Sequence, residues 1–127
     1  MLSVLFLFLI IEFKEIMNNT PIKNLSEFQN LSIKHKSVCF YLSTLDCSVC
    51  KVLKPKVFEM LKNDFPKIHF CNIDLNKAKE ISGQLSVFSV PTILVYFDGK
   101  ETIKTSRNVH LEELREQIDR YYKIIFP

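Results

Sequence analysis

Glycine occurs only twice in 127 residues. No glycine-rich loop is available to cradle a phosphate, and neither a nucleotide nor a flavin motif is present. Cysteine is also sparse: there are four, and only Cys47 and Cys50 are close in sequence. That is not the framework of a small secreted disulfide protein. Charge of one sign is scarce too. The net charge is +3 and dispersed. The short basic cluster Lys34-His35-Lys36 has no interleaved aromatic residues, which excludes a nucleic-acid surface. Long hydrophobic runs are missing as well. Leu2 to Ile11 is apolar apart from Ser3, but Glu12 ends it before it could span a bilayer as a straight helix. The run lacks a basic flank and a small-residue cleavage site, and no early cysteine could carry a lipid. No internal repeat or low-complexity tract follows.

What remains is an ordinary globular balance, 47% apolar and 24% charged, enough for one α/β core. Met17 opens a polar stretch, Asn18-Asn19-Thr20-Pro21, that reads as a domain start. Residues 17–127 are therefore expected to form the domain and residues 1–16 an upstream extension. A membrane-surface anchor or a weak export signal is the alternative for that extension. Ser26 or Asn24 caps a short helix through Leu31. Ser37 to Leu42 is a continuous apolar run, as in a buried strand. Ser48 to Phe65 has helical periodicity, with Val49, Leu53, Val57, Met60 and Leu61 on one face and Pro55 expected to kink it. Lys67 to Asp74 reads as a strand and Lys77 to Leu85 as a helix weakened by Gly83. Thr92 to Phe97 and Glu101 to Thr105 read as a hairpin around Asp98-Gly99. Leu111 to Tyr122 is an amphipathic helix.

Cys47-Ser48-Val49-Cys50 lies at a strand-to-helix junction, with Val90-Pro91-Thr92 well downstream. Two thiols at this spacing close into a small ring and reopen when one attacks another disulfide. That chemistry needs a depressed thiol pKa, which a helix N-terminus supplies through unpaired N–H groups and the macrodipole.

These residues, with Pro55, Asn72-Ile73-Asp74 and Asp98-Gly99 in matching order, resemble the thioredoxin superfamily over roughly residues 20 to 123. The resemblance implies an α/β thioredoxin-like fold, a central mixed sheet flanked by helices. It implies that Cys47 is the exposed attacking thiol and Cys50 the buried resolving thiol of a redox-active disulfide. It also implies a cis Val90-Pro91 bond facing them. A cis proline there would present a free carbonyl, and extended substrate would pair with the backbone beside Pro91.

Three departures stand out. Asp46 replaces the tryptophan usual before the first cysteine, and its carboxylate opposes thiolate formation while Lys51 favours it. Tyr41 falls where a buried aspartate is usual; core packing is its plain reading, and a proton relay the functional one. Arg107 aligns with a family glycine near the substrate surface, where it would redirect substrate choice unless it is merely a solvated loop residue. Cys39 and Cys71 read as inert buried thiols. His35, His69 and His110 have no ligand spacing, so the cysteine pair is not expected to be half of a zinc site.

The expected function is protein-disulfide oxidoreduction through Cys47 and Cys50, with Asp46, Val90, Pro91 and Arg107 meeting the substrate. The alternative is a redox-responsive adaptor with little turnover. No cofactor is expected, so electrons come from a separate reductase or a low-molecular-weight thiol. The partners expected are protein disulfides, with no nucleic acid and no membrane. A cytoplasmic monomer is expected, with membrane association or export through residues 1–16 as the alternative.

Overall fold

The computed structural model describes residues 22–127, so the expectations for residues 1–16 fall outside it. Among the described residues, four helices and four strands follow in the order α1 (Leu25–Lys34), β1 (Ser37–Ser43), α2 (Ser48–Asp64), β2 (His69–Asp74), α3 (Lys79–Leu85), β3 (Thr92–Phe97), β4 (Lys100–Ser106) and α4 (Leu111–Ile125). The sheet order is β2-β1-β3-β4. β1 and β2 are parallel, while β1–β3 and β3–β4 are antiparallel. This is the mixed sheet that the sequence predicts.

The first six residues of β1 are buried because helices cover both sheet faces. Side chains alternate across a strand, and two cores result. Cys39 and Tyr41 face a cluster with Val57, Leu61, Leu114 and Ile118 from α2 and α4. Val38, Phe40 and Leu42 face the other, with Phe28 from α1 and Ile81 from α3. Each cluster buries several large apolar side chains, each worth about 1.5–3 kcal/mol before entropy is counted.

Local signals set the ends. Asn24 caps α1 by accepting from the Glu27 N–H at 2.9 Å, while the Glu27 carboxylate reaches back to the Lys23 N–H at 2.7 Å. α2 continues through Pro55 to Asp64 as one helix. The β3–β4 turn places Asp98 at φ 51° and Gly99 at φ 76°, the pair of positive φ values that a two-residue type I′ hairpin requires.

The topology decides where chemistry can occur. Thr92 lies opposite Leu42 on one side and Ser106 on the other. The end of β1, the start of β3 and the end of β4 therefore meet at one edge of the sheet. The segments carrying Cys47, Pro91 and Arg107 all leave from that edge.

Candidate active site

Cys47 is the N-cap of α2, and its sulfur accepts from the Cys50 N–H at 3.2 Å. The two cysteines form a disulfide, with Cα atoms 5.3 Å apart, inside the usual range for a bridged pair. Their surroundings differ. Cys47 is half-buried, whereas Cys50 is only 2% exposed beneath it. The first-turn N–H groups and the helix dipole favour an anion at the cap, so a reduced Cys47 sits where a thiolate is stabilised. Among the described residues, no cluster of three His, Cys, Asp or Glu side chains is arranged to hold a metal.

Tyr41 lies directly under the pair. It is fully buried, and its hydroxyl donates to the Cys50 carbonyl at 2.7 Å. Burial pushes its phenol up to about 12, which makes it a neutral tether for the first turn of α2 rather than a base. That bond was not anticipated from sequence. The available signal was a tyrosine inside an apolar strand, since a buried phenol needs a partner.

Asp46 is exposed. A hydrogen bond from the Thr44 side chain holds its carboxyl below the usual range, its own backbone N–H adds to this, and Lys51 contributes charge. The carboxylate beside Cys47 is thus engaged by its own turn.

The Val90–Pro91 peptide is cis, and Val90 packs against the same core cluster as Cys47. The expectation of a free Pro91 carbonyl needs correction, because it accepts the Arg107 N–H at 3.1 Å. The neighbouring Ser89 carbonyl accepts the Thr92 hydroxyl at 2.6 Å. Arg107 occupies the left-handed region at φ 63°, a conformation that costs a non-glycine residue free energy.

A second correction concerns Val49. It was expected on the inner face of α2 but is 60% exposed, as is Val52. Val49 and Val52 belong to neither core cluster, while Cys50 and Leu53 on the adjacent stripe take the inward positions. Instead, Val49, Val52, Leu53 and Lys56 form one wall of an open groove of about 550 Å³, with Arg107 and Val109 on the other. The groove was hidden in the sequence because its walls come from distant segments. The spacing of 49, 52, 53 and 56 was the one visible signal, a second helical stripe beside the core stripe.

Cys39 and Cys71 are buried free thiols on opposite faces of the sheet. Burial pushes both up, Cys39 with a further contribution from Cys71, and Cys71 to about 12. Neither is poised to react.

The sequence pattern of the family described as Thioredoxin matches residues 19–120. The chain belongs to the thioredoxin family. It is 31% identical over 105 residues to the thioredoxin-like protein YdfQ of Bacillus subtilis, covering 83% of this chain and 93% of that relative. It is 32% identical over 95 residues to the thioredoxin of Mycoplasmoides gallisepticum, covering 75% and 94%. Among solved structures, mitochondrial thioredoxin 3 of Saccharomyces cerevisiae in its oxidized form superposes with a TM-score of 0.74 at 22% identity, over 84% of this chain and 98% of that one. At that identity the likeness concerns the fold. Family membership and the bridged Cys47–Cys50 pair together make the chain a thioredoxin-like thiol–disulfide oxidoreductase. The family implies protein disulfides as substrates and a reductase as donor. No described helix is long and apolar enough to cross a membrane.

Proposed function

We propose that Cys47 is the attacking thiol and Cys50 the resolving thiol of a protein-disulfide reductase. The observation carrying this is the asymmetry of the pair, a half-buried sulfur at a helix N-cap above one that is 2% exposed. The Cys47 thiolate attacks one sulfur of a substrate disulfide. A mixed disulfide forms, and the other substrate sulfur leaves as a thiolate that takes a proton from solvent. Cys50 loses its proton and attacks the Cys47 sulfur, releasing the second substrate thiol and closing the Cys47–Cys50 bridge. Two electrons and two protons from a reductase or a low-molecular-weight thiol then reopen it.

Substrate backbone pairs at Val90, because the carbonyls of Ser89 and Pro91 are already engaged. Asp46 and Arg107 flank the docked segment. The domain works as a monomer and resides in the cytoplasm. Reduction of insulin by dithiothreitol is the direct test. Cys47→Ser should abolish catalysis, and Cys50→Ser should accumulate mixed disulfides that mass spectrometry assigns to Cys47. Adducts on Cys50 in the Cys47→Ser protein would reverse the two roles. Negligible turnover by the wild type would favour a redox-switched docking protein.

A further inference from the structure

We infer that the groove beside the dithiol selects disulfides flanked by an apolar side chain and then an acidic one. This rests on the reductase reading above and adds the class of substrate. The groove begins at Ser48 and Val49, next to the attacking sulfur, and lies between α2 and the β4–α4 connection. Its floor and near wall are apolar. Val49 and Val52 are each 60% exposed, with nothing in the described residues covering them. A substrate side chain laid there removes apolar area from water on both partners.

The charge on the groove has one sign. Lys56 stands on one wall and Arg107 on the other, and none of the lining residues carries a carboxylate. Glu112, close by on α4, is held by Arg115 at 2.7 Å. Lys56 and Arg107 enter no ion pair among the described residues. The backbone adds a second argument for Arg107. The residue is exposed and sits at φ 63°, a conformation in which glycine would be the least costly choice. A guanidinium is kept there with no internal partner, at the mouth of an apolar groove. Arginine presents a planar fork suited to a carboxylate. Asp46, which precedes Cys47 and is exposed, is not among the residues lining the groove, and its carboxylate repels acidic residues that dock beside it. The occupant that satisfies both sides is an extended peptide with its acidic residue on the groove side of the disulfide.

The test uses synthetic disulfide peptides identical except for Glu, Gln or Lys beside the cysteine, with isomers carrying the charge on either side. Rates are normalised to uncatalysed reduction of each peptide by dithiothreitol, which removes differences in intrinsic reactivity. One Glu isomer should exceed its Gln counterpart in kcat/KM by roughly 3- to 10-fold, the range expected for two exposed charge contacts. Lys should fall below Gln. The difference should lie in KM and should shrink between about 0.02 M and about 0.5 M salt. Arg107→Gly with Lys56→Gln should erase the Glu-to-Gln ratio. Glycine suits φ 63° and Lys56 is exposed, so the variant should fold. Equal kcat/KM for all peptides, or a preference that survives in the double variant, overturns the acidic-substrate inference while the dithiol chemistry stands. Failure to reduce any of them overturns both.

Discussion

Tyr41 shows how one residue can keep a site's geometry while changing its chemistry. A carboxylate at this position could move a proton; a phenol whose pKa is pushed up to about 12 cannot near neutrality. What it does is hold the Cys50 carbonyl at 2.7 Å and so fix the turn that carries both sulfurs. Tyr41→Phe should therefore lower stability by about 1 kcal/mol, the usual net worth of a buried neutral hydrogen bond, read from urea denaturation. The pH profile of insulin reduction should keep its shape between about pH 6 and 9, since a group titrating far above that window does not bend it. A changed profile in a folded Tyr41→Phe protein would make the phenol part of the proton path. The same residue marks a limit of sequence reading. Its place in a buried strand was legible, but its hydrogen bond spans the gap from strand to helix, and no local pattern encodes that.

At the scale of elements, the parts with strong local signals were legible and those set by packing were not. β3 runs from Thr92 to Phe97 as its β-branched and aromatic run predicts, bounded by Pro91 and the Asp-Gly turn. α4 was expected to stop at Tyr122 but continues to Ile125, because Tyr122 and Ile125 still pack against the core. β2 begins at His69, two residues later than expected, since Lys67 and Ile68 belong to the turn that closes on Phe65 through the Ile68 N–H at 3.1 Å. Of the site, the cysteine pair and the proline loop were readable from spacing, while the groove between α2 and the β4–α4 connection was not. The hairpin gives a direct check on turn chemistry. A Cβ on Gly99 would meet only the Ser32 carbonyl at 3.7 Å, an ordinary contact, so the cost of Gly99→Ala is conformational. It should destabilise by roughly 1–2 kcal/mol, seen as a lowered denaturation midpoint. An unchanged midpoint would mean that the turn relaxes out of the type I′ form.

The whole molecule has a stability window set by its buried and half-buried titrating groups. Burial raises Tyr41 and Tyr96 to about 12, Tyr96 with help from Glu101, and raises the thiols of Cys39 and Cys71. Each keeps its proton longer in the folded chain. Their contribution is complete below the unfolded values, roughly 8.5 for thiols and 10 for phenols, and is lost as pH climbs toward the folded ones. The opposite limb comes from His35 and His69, whose rings stack at 4.1 Å. Burial lowers both, with Lys34 adding to each and His35 adding to His69. The unfolded chain then takes up protons first, and stability falls as pH drops below about 6.5. Denaturation midpoints should therefore peak between roughly pH 6.5 and 8.5. His69→Phe should flatten the acid limb, and an unaltered limb would assign it to other groups.

The placement of the remaining sulfurs has a practical consequence. Cys39 and Cys71 lie buried on opposite faces of the sheet, so neither can reach the other or trade places with the working pair without the fold opening. In the reduced, folded protein only the Cys47–Cys50 pair should answer a colorimetric thiol reagent, and the buried Cys39 and Cys71 should answer once the chain has come apart. The protein thus carries a gauge of its own integrity, in which early colour counts competent sites and late colour times global opening.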